Sequence, residues 1–146
     1  MANNTIITIE SLKEKAKKMS VLYVEDEESL RNKTGSLLAK LFQNVELAVD
    51  GKEGFDKYLH NKYDIVITDI SMPNMNGLDL INNIRKNDLH QEIIIMSAYT
   101  ESVYSDQVNM ANVTGYIYKP VEINQMLEIL NISIDRVNKL CSNNDT

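Results

Sequence analysis

Short apolar, β-branched runs recur every ~20–28 residues along this chain, at 21–25, 45–49, 65–69, 93–97 and 115–118. Three of them are apolar nearly throughout, the pattern of strands covered on both faces. Between them the apolar spacing changes to three or four residues. Leu30, Thr34, Leu37, Leu38 and Leu41 follow it, as do Leu78, Ile81 and Ile84, then Val103, Gln107 and Met110. The last segment carries Ile123, Met126, Leu127, Leu130, Ile134, Val137 and Cys141 at the same intervals. Strand and helix therefore alternate, which predicts an α/β fold of (βα)5 type: a parallel five-stranded sheet between two layers of helices, with right-handed crossovers. Ligands of such open sheets bind beyond the carboxyl ends of the strands, where the strand order reverses.

Local signals place the helix starts. Asp50-Gly51-Lys52-Glu53 pairs an N-cap acid with a glutamate three residues on, and Ser11-Leu12-Lys13-Glu14 has the same form. The second predicts a short basic helix opening before the first strand, within an extension at 1–18. The main domain is expected at 19–140 and a polar tail at 141–146, disordered from Ser142 onward. Gly77 is expected to release the chain into the helix after the Pro73 loop. Met1 so near the first strand is expected to open the protein, with a further domain after residue 146 or none.

The 146 residues suit one core, with 43% hydrophobic and 25% charged residues. A formal net charge of -6 argues against a nucleic-acid-binding surface. No apolar run approaches the ~18–20 residues of a membrane span, and the first residues lack a secretory signal. Cys141 is the only cysteine, so no internal disulfide can form and the cytoplasm is the default compartment.

The ends of the strands carry the chemistry. Glu25 and Asp26 close the first run, Asp69 the third, Ser97 the fourth, and Lys119 follows the fifth. Two carboxylates ~4 Å apart repel by about 4 kcal/mol at an effective dielectric near 20, so three acids in one pocket call for a cation. Oxygen donors without His or Cys favour Mg2+, or Mn2+, over zinc. Lys119 and Ser97 can bind phosphoryl oxygens. Asp69 is left as a nucleophile able to form an acyl phosphate. Taken singly, each feature has a structural reading. The acids at 25–28 can stabilise a helix N-terminus, Asp69 can cap a loop, Lys119 can be a surface lysine, and Tyr116 can be core. Their joint placement at one pole of the sheet favours phosphoryl chemistry.

The run Asp69-Ile70-Ser71-Met72-Pro73-Asn74-Met75-Asn76-Gly77 resembles the phosphorylation loop of response-regulator receiver domains of two-component phosphorelays. Val21-Leu22-Tyr23-Val24-Glu25-Asp26 resembles that family's first strand and acidic pair. Ile94-Ile95-Met96-Ser97-Ala98 resembles its fourth strand, and Gly115-Tyr116-Ile117-Tyr118-Lys119-Pro120 its fifth. The resemblance spans about residues 19–140. It implies a flavodoxin-like fold with strand order 2-1-3-4-5 and Asp69 as phospho-acceptor. It implies Mg2+ held directly by Asp26, Asp69 and the backbone carbonyl of Ser71, with Glu25 acting through a metal-bound water. Lys119 would hold the phosphoryl group, and its bond to Pro120 would be cis.

The same resemblance implies a signalling module rather than an enzyme, catalysing only its own phosphorylation and dephosphorylation. A sensor histidine kinase or phosphotransfer protein would be the donor. Ser97 and Tyr116 would form the switch. The helix between the fourth and fifth strands, the fifth strand and the last helix would form the output face toward an output domain or target protein. Dimerisation on activation through that face stays open, because the last helix shows no row of alternating acids and bases. Ser71 and Tyr99 would tune dephosphorylation; neither forms an acid–amide pair, so the phosphate is expected not to be unusually short-lived. Val121 stands where many relatives have phenylalanine. The competing reading is an aspartate-nucleophile phosphatase, which would want a second aspartate where Ser71 stands. A flavodoxin-type carrier is disfavoured because the acids at 25–28 would repel a flavin phosphate.

Overall fold

A computed structural model describes residues 7–98 and 113–144, and side chains as far as residue 140. Its elements are α1 (Ile9–Ala16), β1 (Ser20–Val24), α2 (Glu28–Leu41), β2 (Asn44–Ala48), α3 (Gly51–His60), β3 (Ile65–Asp69), α4 (Gly77–Asn87), β4 (Glu92–Ala98), β5 (Gly115–Lys119) and α5 (Ile123–Asn144). The predicted helix through Val103, Gln107 and Met110 lies outside the described residues, as do Tyr99 and the side chain of Cys141.

The five strands are all parallel in the order β2-β1-β3-β4-β5, as the alternation and the resemblance predict. Successive residues of a strand point to opposite faces. One face packs Val21, Tyr23, Ile65, Ile67, Ile94, Met96 and Ile117 under α1, α2 and α5. The other packs Leu22, Val24, Val66, Ile93 and Ile95 under α3 and α4. Both faces of β1, β3 and β4 are thus buried, which accounts for their near-continuous apolar runs. The edge strand β2 is only half covered, with Val45 and Leu47 partly buried and Val49 beyond it exposed.

Three expectations change. The N-cap of α1 is Thr8, not Ser11. Thr8 Oγ1 accepts from Ser11 N–H at 3.0 Å while Ser11 Oγ accepts from Thr8 N–H at 3.2 Å, so Ser11 is the third helical residue. Starting at Ile9 lets Leu12 and Ala16, one turn apart, bury fully. The last helix runs to Asn144, so the residues at 142–144 are helical rather than disordered. Ile123 opens that helix but is 55% exposed, so the buried stripe begins at Met126. Asp50 caps α3 as expected, accepting from Glu53 N–H at 2.8 Å, although Glu53 Oε1 reaches back to Val49 N–H at 3.3 Å rather than to Asp50.

Candidate functional site

The strand rows themselves bring the site together. Glu25 continues the Val21–Tyr23 row of β1, Asp69 the Ile65–Ile67 row of β3, and Lys119 follows Ile117 in β5, all on the face that bears α2 and α5. Glu25 lies one residue past β1, where its N–H still bonds to Ala48 O at 3.0 Å. Ser97 continues the opposite row, Ile93–Ile95, which it shares with Tyr116 of β5. The two rows meet where the sheet ends.

At that end Lys119 Nζ lies 2.8 Å from Asp69 Oδ2 and 2.9 Å from Glu25 Oε1. The Asp69 contact is an aligned hydrogen bond, and the Glu25 contact is an ion pair without that alignment. The Glu25 side chain is fully buried and that of Asp69 is 7% exposed. Asp26 is exposed at the mouth. Carboxylate oxygens of Glu25, Asp26 and Asp69 all fall within 4.8 Å of one another. Burial pushes the Glu25 carboxyl up to about 7, with the Asp69 charge adding to it and Lys119 opposing it. Burial of Lys119 disfavours its charge, but its hydrogen bond to Asp69 and the close negative charges of Asp69 and Glu25 outweigh that and hold its pKa above the ordinary lysine value.

The surrounding backbone is fixed by contacts that sequence reasoning missed. Arg31 Nη1 donates to Glu25 O at 2.9 Å and to Asp26 O at 3.3 Å, clasping the acidic turn from α2. Ile70 N–H donates to Asp69 Oδ1 at 2.7 Å, which orients the carboxylate. Asn74, at φ 68°, donates from its side chain to Asp50 Oδ2 at 2.7 Å. Asn76 caps α4 through Asp79 N–H at 2.9 Å. Asn74 and Asn76 carry a recognisable signal, since asparagine suits both left-handed turns and N-caps. Arg31 carries none, because its targets are carbonyls. Gly77 N–H donates to Ile70 O at 2.7 Å, and a Cβ at this position would overlap the Asp69 carbonyl oxygen, so only glycine lets α4 start here.

The remaining predicted residues also fall near this pole. Ser97 is buried at 3% exposure. The Tyr116 hydroxyl is buried without a hydrogen-bond partner among the described residues, and its ring stacks on Tyr118 at 6.1 Å. Ser71 is exposed in the loop after Asp69. The Lys119–Pro120 peptide is cis, as the resemblance implies.

Residues 21–131 match the model of the response regulator receiver domain. The chain belongs to that family. This receiver domain is 34% identical over 112 residues to the chemotaxis protein CheY of Thermotoga maritima, covering 76% of the chain and 93% of that relative. It is 33% identical over 129 residues to the transcriptional regulatory protein DltR of Streptococcus agalactiae, covering 84% of the chain but 57% of DltR. It thus spans little more than half of that longer relative. Among solved structures, a receiver domain from Clostridium thermocellum superposes with a TM-score of 0.77 at 26% identity, covering 84% of this chain and 98% of that one. The N-terminal domain of an uncharacterized protein from Wolinella succinogenes does so with a TM-score of 0.77 at 29% identity, covering 85% and 98%.

Membership places the receiver domain in two-component signalling, among modules that are not conventional enzymes. The phosphatase alternative receives no support from these relatives. The acidic cluster at the sheet's end is where a cation would sit, and its all-oxygen donor set suits a hard divalent ion. Among the described residues no helix is long and apolar enough to cross a membrane.

Proposed function

We propose that Asp69 accepts a phosphoryl group from a sensor histidine kinase or phosphotransfer protein and that the charge gained there switches an output face. The observation that carries this reading is the buried pair Glu25 and Asp69 bridged by the half-buried Lys119, with Asp26 at the mouth. Glu25, Asp26 and Asp69, with the backbone carbonyl of Ser71, would hold Mg2+, or Mn2+ in its place. When bound, the ion would neutralise the acids and the phosphoryl oxygens that approach them.

The chain's own residues supply the rest. Asp69 attacks through the carboxylate oxygen not held by Ile70 N–H, and the donor's imidazole leaves with its nitrogen lone pair. Lys119 shifts its hydrogen bond from the Asp69 carboxylate to a phosphoryl oxygen, keeping its charge in the pocket. A shallow cavity of about 450 Å3 beside Lys119, lined by Glu27, Ser29, Leu30, Lys33, Pro120 and Val121, gives a donor room to approach. Phosphorylation roughly doubles the negative charge on Asp69 and adds acceptor oxygens. The Ser97 hydroxyl follows a phosphoryl oxygen, and Tyr116, whose buried hydroxyl has no partner among the described residues, repacks behind it. The bias falls on β5 and α5, and on the helix that the sequence predicts between β4 and β5, which would face an output domain or target protein. This works only if the phosphoryl group binds the two conformations unequally. Ser71 and Tyr99 would set the lifetime by flanking the path of the attacking water. The unit in this reading is residues 19–140, with 1–18 as an extension and 141–146 as a tail, in the cytoplasm and without nucleic-acid contact of its own.

Incubation with acetyl phosphate and Mg2+ tests the assignment by intact-protein mass. Wild type should gain one acid-stable, hydroxylamine-labile phosphoryl group, and Asp69→Asn should gain none. Equal labelling of both would remove Asp69 from the role.

A further inference from the structure

The family match begins at residue 21 and ends at residue 131, so α1 lies wholly before it and the end of α5 wholly after it. These two additions meet. Leu12 and Ala16 of α1 are fully buried in the same apolar cluster as Leu41 and Phe42 at the end of α2 and Ile134 and Val137 of α5. Lys15 Nζ lies 2.9 Å from Asn131 Oδ1 and 2.9 Å from Asp135 Oδ1, at the point where α5 passes the family boundary. Both ends of α1 are fixed. Thr8 and Ser11 close its start, and Met19 N–H bonds to Ala16 O at 2.9 Å as the chain turns into β1. The opposite side of α5 is held separately, by Ser133 and Arg136 on the Glu92 carboxylate at 3.2 and 3.3 Å.

We propose that α1 is a strap: it holds the end of α5 against the body, so that order in the segment leaving the domain depends on the segment entering it. The burial of Leu12 and Ala16 supplies the attraction, and Lys15 sets where along α5 the strap lies. A ligand or neighbouring segment that draws α1 away would loosen α5 beyond Asn131, and anything that stiffens α5 there would hold α1 in place, because coupling between two sites is reciprocal.

Hydrogen exchange by mass spectrometry on the full chain tests the strap, with peptides covering residues 131–144. Leu12→Asp puts a charge into the apolar contact and should speed exchange of those peptides by roughly tenfold or more, leaving the central strands β1, β3 and β4 protected. Lys15→Glu sets two acids against each other and should speed it about two- to fivefold, with the exchanged pair Lys15→Glu/Asp135→Lys restoring wild-type protection. If α1 exchanges freely in Leu12→Asp while residues 131–144 stay as protected as in wild type, the strap is wrong. If Leu12→Asp opens the strands as well, the Lys15 variants decide: identical exchange at 131–144 in Lys15→Glu and wild type overturns the proposal.

Discussion

Replacing Lys119 with methionine removes a cation that stands between two buried carboxylates. Each contact of ~2.9 Å carries about 6 kcal/mol of gross attraction at an effective dielectric near 20, most of it offset by the cost of desolvating the charges. Once Lys119 is gone, Glu25 and Asp69 oxygens within 4.8 Å face each other and repel by about 3.5 kcal/mol at the same dielectric. Losing one partner of a buried ion pair typically costs about 3–5 kcal/mol, and the hydrophobic stem that methionine retains favours the lower end. The expected loss is therefore about 3 kcal/mol at pH 8 in EDTA, a fall of roughly 6–12 °C in Tm for a chain of this size. The pH dependence follows from Glu25, whose carboxyl burial raises from 4.5 to about 7. The folded chain holds the extra proton between those values, so this group's favourable contribution is complete below about 4.5 and is lost as pH rises through 7. Removing Lys119 pushes that carboxyl further up, so the cost of the substitution should be largest at pH 8 and shrink toward pH 5. Millimolar Mg2+ should raise Tm more in Lys119→Met than in wild type, since no ammonium competes for the acids. Thermal unfolding followed by circular dichroism, with exposed Lys33→Met as a control expected within about 0.5 kcal/mol of wild type, reads all of this. Equal Tm for Lys119→Met and wild type at pH 8 in EDTA would refute the claim that charge balance in this pocket limits stability.

Two other perturbations probe the frame. Asp50→Ala removes the cap of α3 and the anchor for Asn74, and should cost about 1 kcal/mol in urea unfolding at pH 7. The Asp50 carboxyl is held below its ordinary value by the Glu53 N–H and then by Asn74, so its contribution is intact above about pH 4 and is lost as pH falls through the folded value; wild type and variant should converge in acid. Gly77→Ala forces a Cβ onto the Asp69 carbonyl oxygen, and should either cost more than about 2 kcal/mol or displace the loop and cut acetyl-phosphate labelling by over tenfold. Unchanged stability together with unchanged labelling would show that the close approach is unimportant.

What could be read from the sequence was whatever the burial pattern dictates locally. β1, β3 and β4 are buried on both faces, so their apolar runs are unbroken and the polar residue at the end of each stands out; the positions of Glu25, Asp69 and Ser97 were legible for that reason, whereas Lys119 ends the partly buried β5 and was legible from its place before Pro120. The start of α1 was ambiguous because Thr8 and Ser11 are both hydroxyl residues able to cap. Only the burial of Leu12 and Ala16 against α2 and α5 selects Thr8, and that is a tertiary fact. Arg31 was invisible because it binds backbone carbonyls that any sequence would provide. Ile123 misled because periodicity continues past the point where the helix leaves the core. The junction of α1 with the end of α5 involves residues over a hundred positions apart, and no local pattern announces it.

The charge count in the pocket leads to a last prediction. Three carboxylates, Glu25, Asp26 and Asp69, against the single ammonium of Lys119 give a formal balance of -3 + 1 = -2 when all are ionised. Phosphorylation takes Asp69 from about -1 to about -2, and the balance to about -3. Lys119 already touches two of the acids and cannot compensate a third charge in a site from which water is largely excluded. A divalent cation restores the balance to about -1, whereas K+ at the same ionic strength is too weakly held to do so. Labelling by acetyl phosphate should therefore fall at least about tenfold in EDTA with K+ replacing Mg2+. Asp26→Asn, which removes one charge at the exposed mouth without disturbing the Lys119 contacts, should weaken Mg2+ binding and raise the concentration needed for half-maximal labelling. Wild-type labelling that proceeds equally fast with and without a divalent ion would mean that the acids at the end of β1 do not share a pocket with the reacting carboxylate in any functional sense.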